Sequence, residues 1–104
     1  MFKLDVSPTF ETSVDIPIPG GGAERVLFIF RHRTRSAFDS LMKALAQSEI
    51  SVDDVVKDIV VEWRDPNLPY SEEALAKCLD LFPGSAGAIL AAYRIALVDG
   101  RRKN

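Results

Sequence analysis

The chain has 104 residues, with 13 Lys and Arg against 15 Asp and Glu and a formal net charge of −2. That balance excludes a bulk attraction to nucleic acid or to an anionic membrane, and 47% hydrophobic with 27% charged residues is ordinary globular composition. The length predicts a single domain over 1–104, with residues 1–9 and 100–104 loose, and it allows one modest core. Cys78 is the one cysteine, so an internal disulfide and a paired-cysteine metal site are excluded, and a reducing cytoplasm is expected. The opening MFKLDVSPTFETSV carries early acids and no long apolar stretch, so it is not read as a signal peptide. No apolar run approaches the roughly 18 residues of a membrane span.

Met1 to Pro8 reads as a loose arm or short strand. From Phe10 to Ile18 the residues alternate: Phe10, Thr12, Val14, Ile16 and Ile18 on one side, Glu11, Ser13, Asp15 and Pro17 on the other. A period of two predicts a half-buried strand, and Pro17 places it toward an edge. Pro19-Gly20-Gly21-Gly22 is a turn, and Glu24 to Arg33 a second strand, so the two form a hairpin. Val26, Phe28 and Phe30 share one face of that strand, Leu27 and Ile29 the other. Both faces are apolar, and the second needs a cover, for which a neighbouring subunit is the candidate.

After Thr34 the period becomes helical. Phe38, Leu41, Met42 and Leu45 make one helix face, and Gln47-Ser48-Glu49 ends it. Ser51 opens a second helix with Asp53 and Asp54 in its first turn. Val52, Val55, Val56, Ile59 and Val60 continue at helical spacing to Trp63, so the helix is expected to run through; a short strand at Ile59-Val60-Val61 is the alternative. Ser71 caps a third helix, with Leu75, Cys78, Leu79 and Phe82 inward, and Pro83-Gly84 stops it. Ser85 is expected to cap the fourth, whose stripe is Ala86, Ile89, Leu90, Tyr93 and Leu97. Gly87, Ala88, Ala91, Ala92 and Ala96 keep it slim, and Gly100 stops it before the basic Arg101-Arg102-Lys103-Asn104. The expected fold is therefore α+β, an N-terminal β-hairpin followed by a compact bundle of about four helices. Trp63, Phe82 and Tyr93 are its structural anchors, with Trp63 among Val56, Ile59, Leu79, Phe82 and Tyr93.

Chemistry is hard to place on these residues. The glycine run lacks the Lys-Ser/Thr of a phosphate loop, His32 has no nucleophile pattern beside it, and Cys78 lies at core spacing. No catalytic residue, cofactor site or metal cluster is read. Arg31, Arg33 and Arg35 form a basic patch opposed by Asp53, Asp54, Asp58 and Glu62. Without interleaved aromatics the patch does not suit base stacking. A solvated charged rim is one reading of these patches; a head-to-tail contact between copies, using the charges with Leu27 and Ile29, is the favoured one.

The order of features resembles the small tail assembly chaperones of long-tailed bacteriophages and prophages. The likeness runs through Phe28-Ile29-Phe30-Arg31 with Thr34-Arg35-Ser36, Ile59-Val60-Val61-Glu62-Trp63, Tyr70-Ser71-Glu72-Glu73-Ala74-Leu75, Phe82-Pro83-Gly84, Ala88-Ile89-Leu90-Ala91-Ala92-Tyr93 and Arg102-Lys103-Asn104. The resemblance implies a non-enzymatic protein of the host cytoplasm that keeps the tape measure protein soluble until tail tube protein polymerises around it, and that is absent from the finished virion. It also implies self-association as a coat. In such genes a fraction of ribosomes slips frame near the end, and the tail here is expected to mark a short form. The alternative is a small nucleic-acid-binding or regulatory module using Arg31, Arg33, Arg35 and the basic tail.

Overall fold

The computed structural model describes residues 1–100; the basic tail and the short-form expectation attached to it lie outside them. The chain runs β1 (Thr9–Pro17), β2 (Ala23–Arg31), α1 (Arg35–Ala46), α2 (Val52–Ile59), β3 (Val60–Arg64), α3 (Glu72–Leu81) and α4 (Ser85–Asp99). This is the α+β class expected, a hairpin and four helices, with one strand more than the hairpin supplies. β1 and β2 pair antiparallel from Thr9↔Arg31 to Pro17↔Ala23. The loop between them closes by Gly21 N–H to Ile18 O (3.0 Å) and Ile18 N–H to Gly22 O (3.1 Å). Gly20, Gly21 and Gly22 all take positive φ (94°, 142° and 76°), a conformation that a side chain resists. β1 is an edge strand, as Pro17 requires.

The helix expected to reach Trp63 stops at Ile59. Val60 turns extended (φ −84°, ψ 125°) and β3 pairs antiparallel with β2. The cause is a β-bulge: Phe30 faces Val60, Ile29 faces Glu62 and Phe28 faces Trp63, so Val61 is the extra residue. In an unbroken strand, residues 60 and 63 would lie on opposite faces. The bulge turns both inward, and both are buried. Val56, Ile59, Val60 and Trp63 thus reproduce the i, i+3, i+4, i+7 spacing of a helix while crossing from helix to strand. The β-branched run Ile59-Val60-Val61 then follows its strand preference.

The helices cover the inner face of the sheet. Val14, Ile16, Phe28, Phe30, Val60 and Trp63 from the sheet form one core with Phe38, Val55, Val56, Ile59, Leu75, Leu79, Ile89 and Tyr93. Two aromatic groups organise it. Tyr93 meets Phe30 edge-on (5.1 Å), stacks on Phe10 (5.6 Å) and touches Phe38. Trp63 meets Phe28 (5.9 Å) and Tyr70 (5.1 Å) edge-on, and Phe28 on Phe30 joins the groups. Trp63 is buried, with Phe28 and Tyr70 as its ring partners. Its indole N–H donates to Leu68 O at 2.8 Å, which holds the proline-bracketed loop against the core.

Caps fix the helix starts. Thr34, Ser51 and Ser71 accept from the N–H groups of Ala37, Asp54 and Ala74. At Ser51 the cap is reciprocal, because Asp54 accepts from the Ser51 N–H at 2.9 Å. Ser85 does not cap α4. Gly84 takes that position, close enough to β1 that a Cβ there would lie 3.2 Å from Pro17 Cγ, and the buried Ser85 hydroxyl donates to Cys78 O instead. Met1 to Pro8 carry no regular element.

Candidate functional site

Of the groups with chemical potential, Tyr93 is buried in the core and Cys78 is partly buried against it. His32 donates its backbone N–H to Pro8 O at 2.9 Å, extending the hairpin pairing by a residue. Burial pushes the Cys78 thiol above its ordinary value, which disfavours the thiolate. Burial likewise pushes the Tyr93 hydroxyl up to about 12, so it stays protonated and donates to Arg31 O at 2.9 Å. Among the described residues no group of three or more His, Cys, Asp or Glu converges to hold a metal ion.

The opposed charges lie side by side in one chain. Arg31 Nη1 donates to Asp58 O (2.9 Å) and to Val60 O (3.3 Å). Arg33 grips the Asp58 carboxylate through Nε and Nη2 at 3.1 to 3.3 Å. Both arginines thus serve the C-terminal end of α2, where the last carbonyls lack helical partners and the dipole favours cations. Asp54 is held in the capping box at the other end of α2, and its hydrogen bond from the Ser51 N–H keeps its carboxyl below the ordinary range. Of the charges expected to bridge copies, Arg35 and Asp53 are exposed, on α1 and in the first turn of α2.

The outer face of the sheet, where Leu27 and Ile29 lie, is less open than the alternation implies. Arg64 of β3 pairs with Glu11 of β1 at 3.6 Å, although β2 runs between them. Since Glu11 faces Ile29 and Arg64 faces Leu27, the pair passes diagonally over both aliphatic residues. Arg25 and Asp15, directly opposite, close the next row at 2.9 Å. Ile29 is only 8% exposed and Leu27 is half-buried.

The open apolar surface is on α4. That helix has two charged residues, Arg94 and Asp99, in fifteen, and it is apolar nearly all round. Only Ser85, Ile89 and Tyr93 are fully buried. A helix of this composition is ordinarily enclosed. Here Ile95 is 43% exposed and Val98 62%. With Leu90, Ala91 and Gly87 of α4 and Met42 of α1 they line a groove of about 560 Å³, rimmed by Arg94 and Asp99. The small residues that keep α4 slim form part of its floor. A second cleft, about 350 Å³, lies where the hairpin turn meets the Trp63 loop, with Ile18, Leu68 and Phe82 in its walls. Phe82, expected as an inner anchor, is half-buried there and packs on the edge of the core. The α4 groove was half legible in the sequence: the slim stripe pointed to close packing, and the absence of a polar face was the signal that one side would stay uncovered.

An uncovered apolar helix fits a protein that works by association. The family model described as phage tail assembly chaperone matches residues 1–104. The chain belongs to that family. No curated protein and no solved structure matches it. A tail assembly chaperone family implies protein partners in tail assembly. No single helix among the described residues is long and apolar enough to cross a membrane; α3 and α4 together pass by length and composition, but bend by 113° between them.

Proposed function

We propose that this chaperone binds and solubilises the tape measure protein during tail morphogenesis in the host cytoplasm, without catalysis, and is released as tail tube protein assembles, so that it is absent from the finished virion. The observation that carries this reading is the uncovered apolar length of α4 in a chain of the tail assembly chaperone family. A hydrophobic helical client needs a groove with side chains on both walls, and Met42 opposite Leu90, Ile95 and Val98 supplies one. Copies of the chain associate on the client, with Arg35 and Asp53 available for contacts between them. Nucleic acid is not the partner in this reading, because Arg31 and Arg33 are engaged at the end of α2. Co-expression tests it: a tape measure segment that aggregates alone is expected to stay soluble with the wild-type chain and to precipitate with Ile95→Asp/Val98→Asp. No gain in soluble segment with the wild type would overturn the reading.

A further inference from the structure

A second unpartnered apolar feature lies in the same chain. Residues 1–7 precede β1 without a regular element, and in sequence Phe2, Leu4 and Val6 alternate with Lys3 and Asp5, so that drawn out as a strand the arm would carry the three apolar side chains on one side. None of them is packed: Phe2 is 88% exposed and Leu4 90%. An exposed apolar strip of this kind calls for a partner. Its dimensions suit the α4 groove. From Phe2 to Val6 an extended chain spans about 13 Å at ~3.3 Å per residue, and from Leu90 to Val98 a helix spans about 12 Å at ~1.5 Å per residue. Charge agrees as well. Docked as a strand with its apolar side down, the arm would hold Asp5 on its polar side, where Arg94, which lines the groove and makes no ion pair among the described residues, offers it a partner.

We propose that the N-terminal arm of a second copy lies in the α4 groove, linking copies head to tail until the client displaces it. The proposal rests on the reading of α4 as the client surface and names what guards that surface beforehand. Arm and groove are different patches on one chain, so the contact is heterologous and leaves a free arm and a free groove at the ends of every assembly. Such an arrangement keeps Ile95 and Val98 from meeting each other indiscriminately, and it makes release of the chain ends part of client loading.

Sedimentation of the full chain, carrying no N-terminal tag, tests it in three forms: wild type, an arm variant (Phe2→Ser, Leu4→Ser, Val6→Ser) and a groove variant (Ile95→Asp, Val98→Asp), with folding checked by thermal melts. The wild type is expected to grow with concentration. Each variant alone is expected to be monomeric at concentrations at least tenfold higher. An equimolar mixture of the variants should form dimers and nothing larger, since it contains one intact arm and one intact groove per pair. An arm variant that associates like the wild type would overturn the proposal, as would a wild type that stays monomeric, whether its arm is free or folded onto its own groove. Binding to a tape measure segment separates this from the functional reading. The arm variant should bind the segment more tightly than the wild type and the groove variant should not bind it. If the mixing result holds and no form binds the segment, the client reading falls and the arm contact stands.

Discussion

The outer face of the sheet and the outer face of α4 both place aliphatic side chains away from the core, and they are finished differently. On the sheet, Ile29 lies between Glu11 and Glu62 and Leu27 between Ser13 and Arg64, and the Arg64–Glu11 pair closes over them. On α4 Ile95 and Val98 share their groove with Ala91, Leu90 and Met42, and Arg94 and Asp99 line it with no ion pair between the two among the described residues. The difference teaches that the aliphatic residues on the sheet are shielded within the chain, whereas those on α4 stay open among the described residues, which is what the proposed client surface requires. A surface ion pair contributes only about 0–1 kcal/mol, so the sheet pairs matter more as a cover than as a source of stability.

That contrast presumes a core that holds both faces in place, and the largest effect is expected where the core is broken. Trp63→Ala should cost about 3–5 kcal/mol in denaturant unfolding, through lost burial and the cavity left against Phe28 and Tyr70. A loss under about 1 kcal/mol would mean that the β3 corner does not anchor the sheet.

Next in size is the tie between α4 and the sheet. Tyr93→Phe removes the hydrogen bond to Arg31 O and should cost about 1 kcal/mol near neutral pH. Because burial raises the folded Tyr93 value to about 12, above the ordinary value of 10.0, its contribution is present below pH about 10 and is lost as pH rises through the folded value. Wild type should therefore lose more stability than Tyr93→Phe between pH about 10 and 12. Parallel curves would place the hydroxyl in water. At the other end of the scale, Asp54 has a lowered value, so its contribution holds above the ordinary carboxylate range and fades as pH falls through the folded value. In thermal melts the gap between wild type and Asp54→Ala should narrow in acid; a gap unchanged by acid would show that the capping box does not depend on the charge.

The smallest stability effects belong to the two outer faces. Ile95→Ala and Val98→Ala should each change unfolding free energy by no more than about 0.5 kcal/mol, the usual range for surface sites. A larger loss would show that α4 packs on its outer side within one chain, and the contrast with the sheet would disappear.

The hairpin was legible because alternation from Phe10 to Ile18 and the glycine turn are local signals. The helix starts at Ser51 and Ser71 were legible for the same reason. The β3 boundary was not, because a bulge at Val61 makes a strand carry helical spacing, and a bulge is set by pairing with β2. The charge patches were read as opposed because Arg33 and Asp58 are 25 residues apart in sequence; only the fold brings them within 3.1 Å. Shielding of Leu27 and Ile29 depends on a pair that crosses a whole strand, which no local pattern encodes. The open side of α4 could be sensed from its missing polar face, and the groove itself needed Met42 from α1.

The most direct test places the same charge on each face and asks which one the client feels. Leu27→Asp on the sheet and Val98→Asp on α4, each co-expressed with an aggregation-prone tape measure segment, should separate cleanly. Leu27→Asp is expected to keep the segment as soluble as the wild type does, and Val98→Asp to lose most of the soluble fraction while melting at the wild-type temperature. The opposite result, a client lost with Leu27→Asp and kept with Val98→Asp, would contradict the assignment of α4 as the working face.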